Sequence, residues 1–199
     1  MSETAEDTKK EAPLDAKMKE MFISKRVVFL SSQVDDASVA TLTKELMYLD
    51  WIDPKKPILF VINSPGGSVH SGLGLFDLIK MIKAPVSTLV MGLAASMGSI
   101  LSLVASRGGK RYCTQHGMIM IHQPLIGGTI YGQATDLEIQ AKEIIKTRET
   151  LVRIYTQATG KEAAAIEKSL DRDCWMTAKE AKDYGLIDEI IHHFPAEFA

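Results

Sequence analysis

The sequence predicts an α/β fold whose strands run mostly parallel, and two observations lead to that prediction. Short apolar runs rich in β-branched residues, such as residues 26–30, alternate along the chain with segments whose apolar residues recur at helical spacing. Glycine, proline and polar residues separate the two kinds of segment. Strands that alternate with helices indicate right-handed crossovers between parallel strands, and 199 residues suit one domain of this kind.

Four strands and three helices alternate in the first two thirds of the chain. Strands are predicted at 26–30, 57–63, 84–91 and 118–122. The first helix has an apolar stripe at Val39, Leu42, Leu46 and Leu49, and the second has one at Leu75, Leu78, Ile79 and Ile82. The third helix is predicted from residue 97 onward.

Residues 86–106 contain no charged side chain, and two interpretations compete for them. A membrane span needs about 20 predominantly apolar residues. This segment is long enough, but serine, threonine and glycine dilute it and no aromatic belt flanks it. A buried strand, a tight turn of small residues and a buried helix fit it better. That interpretation puts Ser96 at the N-terminus of the helix.

Ser96 is a candidate nucleophile because of this position. Helix N-termini carry unpaired N–H groups and a partial positive charge, which stabilise developing negative charge. Residues 94–98 are similar to the Gly-x-Ser-x-Gly turn of hydrolases, with Ala94 in place of the first glycine. The alternative is a buried serine that bonds back to the helix backbone.

A nucleophilic serine needs a base and an acid that orients the base. Among five histidines, His122 is the best placed, since it ends an apolar strand and sites in α/β sheets gather at the carboxyl ends of strands. A histidine there could equally anchor a loop. Spacing does not choose among the aspartates.

The Asn-Ser-Pro-Gly-Gly-Ser segment at 63–68 is a second candidate for anion binding. Two consecutive glycines permit a backbone geometry that aims N–H groups into a cleft. The segment is not a phosphate-binding loop of the Walker A type, because no Gly-Lys-Ser/Thr follows. The alternative is a plain turn.

The last third of the chain contains a helix longer than a small domain needs. Thr135 to Glu138 has the form of a capping box, and Gly160 supplies the stop. The helix is predicted at about 132–160, and its roughly 23 residues after the capping box, up to Thr159, would span roughly 35 Å. Apolar residues on more than one side indicate that it projects toward another subunit, and the alternative is an ordinary core helix. A short helix at 177–185 and a strand at 186–191 complete the chain.

Composition excludes several classes of protein. The net charge is −2, so no basic excess points to nucleic acid or anionic lipid as a partner. Cys113 and Cys174 form no Cys-x-x-Cys motif, so free thiols are expected, with one disulfide as the alternative. The N-terminus is polar and lacks the apolar core of a secretory signal. We expect a flexible arm over residues 1–20, a single domain over 21–199 and a cytoplasmic location.

Five motifs occur in an order that resembles the ClpP family of self-compartmentalising serine peptidases. They are FVINSPGGSV, GLAASMGSILSLVA, MIMIHQP, GQATDLEIQAKEI and DRDCWMTAKEAKDYGLID. The resemblance covers about residues 27–191, most of the chain. The resemblance implies a ClpP/crotonase-like superhelix of strand–helix units with a projecting handle helix. It also implies an endopeptidase that degrades unfolded polypeptides through an acyl-enzyme.

The resemblance assigns roles by position. Ser96 matches the nucleophile, His122 the general base and Asp173 the orienting acid. Gly67 and Met97 match the backbone donors of the oxyanion hole. No metal and no bound cofactor are implied for this chain, since ATP is used by the partner ATPase.

Assembly is also implied by the resemblance. Members of the family form heptameric rings stacked as a tetradecamer and work with an AAA+ unfoldase, and Arg172 matches an arginine that pairs between rings. Three departures stand out: the N-terminus differs, Leu59 and Val61 replace tyrosines of the ATPase-binding pocket, and the loop at 123–134 is about two residues longer. They put direct docking of the ATPase in question and suggest one of two paralogues in a mixed ring.

Two other functions remain in competition with the active peptidase. A structural, weakly active ring subunit is kept open by the divergent N-terminus. An acyl-CoA enzyme of the crotonase type shares the general fold, but its active-site acids and CoA-binding features are not apparent in the sequence.

Overall fold

The computed structural model describes residues 14–125 and 132–198. These residues form seven α-helices and one sheet of seven strands. The helices are α1 (Leu14–Ser24), α2 (Asp36–Ile52), α3 (Val69–Met81), α4 (Met97–Ser102), α5 (Ala134–Thr159), α6 (Ala163–Leu170) and α7 (Ala178–Tyr184). The strands are β1 (Val27–Leu30), β2 (Ile58–Ser64), β3 (Val86–Ala95), β4 (Arg111–Thr114), β5 (Met118–Ile121), β6 (Cys174–Thr177) and β7 (Glu189–Ile191).

The sheet confirms the predicted α/β class. Strands β1, β2, β3, β4 and β7 are neighbours in that order and run parallel. The long strand β3 has two partners on the same side: its first half pairs with β4 at Thr88–Val90, and its second half pairs with β5 at Leu93–Ala95. Strand β6 then adds antiparallel to β5. The fork brings the ends of β3 and β5 together.

Both faces of the sheet are covered. Alternate residues of β2 enter different clusters: Ile58, Phe60 and Ile62 lie in the main core, while Leu59 and Val61 lie in a smaller cluster. Because side chains alternate across a strand, the two clusters are on opposite faces. Helices α2, α3 and α4 contribute to the main core, and the C-terminal Phe198 packs into the smaller one.

The segment at 86–106 is a strand followed by a short buried helix. The strand β3 continues to Ala95, so the turn predicted around 92–96 is reduced to Ser96. Within the part of the chain that the structure describes, no helix is long and apolar enough to cross a membrane.

Helix α1 includes the second part of the N-terminal arm predicted for residues 1–20. Residues 14–20 belong to α1, which packs on the domain because Phe22 contacts Phe29 edge to face at 4.8 Å between ring centroids. The same helix forms an ion pair between Lys19 and Glu45 at 3.0 Å. Residues 1–13 of the predicted arm, and residues 126–131 of the loop expected to be longer than usual, lie outside the described residues.

The capping box predicted at Thr135 is wrong. Helix α5 begins at Ala134, and the carbonyl of Gln133 accepts the amides of Asp136 and Leu137. Thr135 is therefore already inside the first turn, where its hydroxyl cannot cap. The predicted end is confirmed, since Gly160 has a left-handed backbone with φ 70° and its amide donates to Thr156.

Most of α5 makes few contacts with the domain. Its buried side chains are Leu151, Val152 and Tyr155, all in the C-terminal third, whereas Leu137, Ile139 and Ile145 are exposed. The helix is thus attached at its base and projects from there, as the sequence predicted.

Sequence patterns missed four elements. The helices α1 and α6 and the strands β4 and β6 were not predicted. The omission of β6 matters most, since this strand pairs antiparallel with β5.

Candidate active site

Ser96 lies at the sharp junction between β3 and α4. Its backbone has φ 54° and ψ −122°, a conformation that a residue with a side chain rarely adopts and that costs about 1–3 kcal/mol. The Ser96 amide donates to the carbonyl of Met120 on β5 at 2.9 Å, and the Ser96 carbonyl accepts the amide of Ser99 at 2.9 Å. The Ser96 side chain makes no capping bond to the helix. Its hydroxyl is thus free to point into the cleft.

Ser96, His122 and Asp173 are joined by hydrogen bonds in that order. Ser96 Oγ lies 2.8 Å from His122 Nε2, and His122 Nδ1 lies 3.0 Å from Asp173 Oδ1. A carboxylate on Nδ1 favours the tautomer with its proton there, which leaves Nε2 free to accept a proton from the hydroxyl. The structure therefore brings together the three residues that the sequence singled out.

The pairing of β5 with β6 places the aspartate. Ile121 on β5 is the register partner of Cys174 on β6, in an antiparallel pair. His122 follows Ile121 and Asp173 precedes Cys174, so these two residues lie opposite each other at the end of the ladder. The His122 side chain is 12% exposed and that of Asp173 is 60% exposed. The aspartate thus orients the ring from the solvent side.

The double glycine packs directly against the serine turn. A Cβ on Gly66 would lie 2.6 Å from the Ala95 carbonyl oxygen, 2.7 Å from Ser96 Cβ and 2.8 Å from the Met97 nitrogen. The backbone of Gly66 also has φ +92°, which glycine alone adopts without strain. This close approach and the positive φ explain why glycine is required at position 66.

Gly67 is held on both sides in the same loop. The Val34 amide donates to the Gly66 carbonyl at 2.8 Å, and the Ser68 amide donates to the Val34 carbonyl at 2.7 Å. Among the described residues, neither the Gly67 amide nor the Met97 amide has a hydrogen-bond acceptor. Both residues line the cleft at Ser96, where an amide without an acceptor is available to a ligand.

The cleft itself is small and has an apolar wall. Its volume is about 280 Å³, and Ser96, His122 and Gly67 lie on its lining. The rest of the wall includes Val69, Ile100 and Leu151, which come from three different helices. An extended segment with an apolar side chain fits this lining.

Gln123 is a site residue that sequence reasoning did not single out. Its backbone amide donates to the Leu170 carbonyl at 2.7 Å, and its side-chain amide donates to the Asp171 carbonyl at 3.1 Å. These bonds tie the residue after His122 to the turn that leads to Asp173. The sequence signal that could have found Gln123 is its position directly after the candidate base, His122.

Arg172 lies on the surface beside this turn. Its side chain is 84% exposed and contacts Asp171, with a hydrogen bond of 2.7 Å to the Asp171 carbonyl. Nothing in this single chain tests the contact between rings that the resemblance implies for it.

The described residues offer no cluster of side chains for metal binding or thiol catalysis. Within residues 14–125 and 132–198, no group of three or more histidine, cysteine or acidic side chains is arranged to hold a metal ion. Cys113 and Cys174 are free, and burial raises the pKa of the Cys113 thiol to about 11, so that it stays protonated.

A serine at a strained strand-to-helix turn, a histidine and an aspartate hydrogen-bonded in sequence are the arrangement of serine hydrolases. The family model of the Clp protease matches residues 9–194. Curated relatives named ATP-dependent Clp protease proteolytic subunit 1 agree with this match, and three of them serve as examples. The one from Protochlamydia amoebophila is 61% identical over 172 residues, covering 86% of this chain and 83% of the relative.

The other two are less similar over the same extent. The relative from Chlamydia abortus is 57% identical over 169 residues, covering 85% of this chain and 88% of its own. The relative from Gloeobacter violaceus is 48% identical over 170 residues, covering 85% of each chain. The chain belongs to the Clp protease family, and it is a Clp-type peptidase, a hydrolase.

Proposed function

We propose that this chain is an active serine endopeptidase in which Ser96 is the nucleophile, His122 the general base and Asp173 the acid that orients the base. The observation that carries the proposal is the continuous relay from Ser96 Oγ to His122 at 2.8 Å and from His122 to Asp173 at 3.0 Å. The relay stands at the edge of a cleft that also contains two amides, those of Gly67 and Met97, with no acceptor in the part of the chain that the structure describes.

The reaction follows from this geometry. Ser96 Oγ attacks the carbonyl carbon of a peptide bond while His122 Nε2 takes the hydroxyl proton. The negative charge that develops on the carbonyl oxygen is stabilised by the amides of Gly67 and Met97. His122 then gives its proton to the leaving amine, and a water molecule, deprotonated in turn by His122, hydrolyses the acyl-enzyme.

Labelling of the serine tests the active function. A fluorophosphonate probe, incubated with this chain alone and with any second subunit encoded beside it, should modify Ser96. Ser96→Ala should abolish labelling, whereas Ser24→Ala, an exposed serine at the end of α1, should leave it unchanged. If no assembly is labelled, the active function is wrong.

We further propose that the chain works in stacked heptameric rings that receive unfolded polypeptides from an AAA+ unfoldase. The projecting helix α5, with exposed Leu137, Ile139 and Ile145, supports a contact between rings. A partner that covers these exposed apolar side chains removes them from water, which stabilises the contact. Native mass spectrometry of the purified chain measures the stoichiometry.

The unfoldase has a candidate surface on the opposite face of the sheet from the main core. Leu59 and Val61, which replace family tyrosines, are buried in the smaller cluster. Next to that cluster, Leu89, Met91 and Phe194 line an apolar cleft of about 510 Å³. We propose that an apolar loop of the unfoldase binds there, and Met91→Glu should lower degradation of folded proteins without changing peptide cleavage.

A second candidate function is a weakly active subunit of a ring that contains another paralogue. The names of the relatives number the proteolytic subunit as 1, which supports the presence of a second subunit but not weak activity. Ser96→Ala in a mixed ring separates the two functions. Unchanged turnover favours the structural subunit, and a fall in proportion to the number of altered subunits favours the active one.

A further inference from the structure

A chain of buried hydroxyl groups links helix α5 to the backbone of the serine turn. Tyr155, in the last third of α5, is 1% exposed, and its hydroxyl lies 2.6 Å from Ser99 Oγ. Ser99 is fully buried on α4, and its Oγ donates to the Ser96 carbonyl at 2.6 Å. A serine hydroxyl has one proton, so Tyr155 must be the donor to Ser99.

Tyr155 keeps its proton under all ordinary conditions. Burial raises the pKa of its phenol well above the usual value, and the hydrogen bond with Ser99 only partly opposes this. The donor direction of these hydrogen bonds, from Tyr155 to Ser99 and from Ser99 to the Ser96 carbonyl, therefore does not change with pH.

The Ser96 carbonyl is the end of this chain and the start of the peptide unit that leads to Met97. Three donors converge on its oxygen: Ser99 Oγ at 2.6 Å, the Ser99 amide at 2.9 Å and the Ile100 amide at 3.3 Å. This peptide bond is trans, so the Met97 N–H points away from the Ser96 carbonyl. Holding the carbonyl toward α4 therefore directs the Met97 N–H to the opposite side.

We propose that Tyr155 and Ser99 are positioning residues, which hold the peptide unit between Ser96 and Met97 so that the Met97 N–H donates to the oxyanion. Donation to the carbonyl oxygen also polarises the peptide unit and strengthens its N–H as a donor. The inference rests on the proposed peptidase function and deepens it, because it attaches the projecting helix α5 to the reacting centre.

The test compares Tyr155→Phe, Ser99→Ala and the double variant in the full assembled complex. Tyr184→Phe is the matched control, since Tyr184 also donates to a serine, Ser169 Oγ at 2.8 Å, between helices away from the cleft. The measurements are kcat and KM for a fluorogenic peptide, thermal midpoints, and the affinity for a peptide aldehyde and for the alcohol of the same peptide. The aldehyde forms a hemiacetal whose oxygen sits where the oxyanion forms.

We expect Tyr155→Phe to lower kcat about 3- to 10-fold and Ser99→Ala to lower it about 10- to 100-fold, with KM within about twofold. Affinity for the aldehyde should fall by similar factors, and affinity for the alcohol should not change. The kcat of the double variant should be no lower than that of Ser99→Ala, because both residues act through the same series of hydrogen bonds. Tyr184→Phe should keep kcat.

The possible contrary results are distinct. If Ser96 is labelled but both variants keep the kcat of the wild type, the positioning role is wrong and the peptidase function stands. An equal fall in kcat for Tyr155→Phe and Tyr184→Phe at equal thermal midpoints also overturns the positioning role. An unlabelled Ser96 overturns both proposals. If Ser99→Ala fails to assemble, Tyr155→Phe, which removes one oxygen and keeps the ring, decides the matter.

Discussion

Ile121 on β5 is the register partner of Cys174 on β6, and this one antiparallel pair brings Asp173 beside His122. His122 and Asp173 are 51 positions apart in the chain, yet His122 Nδ1 lies 3.0 Å from Asp173 Oδ1. The neighbouring end of β3 brings Ser96 to the other side of the histidine, because β5 pairs with the second half of β3. The relay thus follows from the order of three strands in one sheet.

Asp173→Asn should lower kcat by about 10⁴-fold with little effect on KM. An amide at this position stabilises the tautomer with the proton on Nε2, where it blocks proton transfer from Ser96. Asp183→Asn, an exposed aspartate on α7, is the control and should keep full activity. Steady-state cleavage of a fluorogenic peptide measures both. Full activity of Asp173→Asn would show that this carboxylate does not orient the base.

Gly66→Ala should inactivate the enzyme and lower the free energy of unfolding by about 1–3 kcal/mol. The new Cβ would collide with Ala95 and with the Ser96 turn at less than 3 Å, in a backbone with φ +92°. Gly74→Ala is the matched control, because nothing lies within 4 Å of a Cβ at that position in α3. It should raise the stability by about 0.5–1 kcal/mol and keep activity. Chemical denaturation and peptide cleavage measure the pair, and an active Gly66→Ala would contradict the close packing.

Asp188 should make the stability of the sheet edge sensitive to acid. Partial burial acts to raise the pKa of Asp188, but hydrogen bonds and charge from Arg111 outweigh it, so the pKa is lowered overall. A depressed pKa in the folded state contributes stability that is present above the unfolded value of about 3.9 and is lost as pH falls through the folded value. The thermal midpoint of the wild type should therefore fall below about pH 4 more than that of Asp188→Asn. Parallel curves for the two proteins would rule out this contribution.

Ile139→Lys should separate the stacked rings that we propose for this chain. Ile139 is 59% exposed on the projecting part of α5, and a charge there cannot be buried against a second ring without a large desolvation cost. Gln140→Lys adds the same charge one position along on a residue that is already polar, and should be tolerated. Native mass spectrometry measures the ratio of double to single rings. An unchanged ratio for Ile139→Lys would argue that α5 does not form the contact.

Much of the fold could be predicted from short-range pattern. The apolar runs at β1, β2, β3 and β5 and the stripes of α2 and α3 were recognisable, because burial on one face or both imposes a period on the sequence. The stop at Gly160 was recognisable for a local reason, since a left-handed backbone favours glycine. The start of α5 was not, because the capping-box pattern fits any turn of suitable spacing and only the backbone bonds of Gln133 decide which residue leads the helix.

The candidate site, like the fold, was predicted only in part from local sequence pattern. Local pattern alone placed Ser96 at a strand-to-helix turn and His122 at a strand end, directly after Ile121 in the structure, since both positions follow from the periods around them. Residue spacing left the acid open, and resemblance selected Asp173 without a physical reason. Only the tertiary structure supplied that reason, the pairing of β6 with β5, and it alone brought Gly66 against Ser96 and Tyr155 against Ser99. Contacts between distant parts of a chain depend on which elements become neighbours, and no local period in the sequence encodes that.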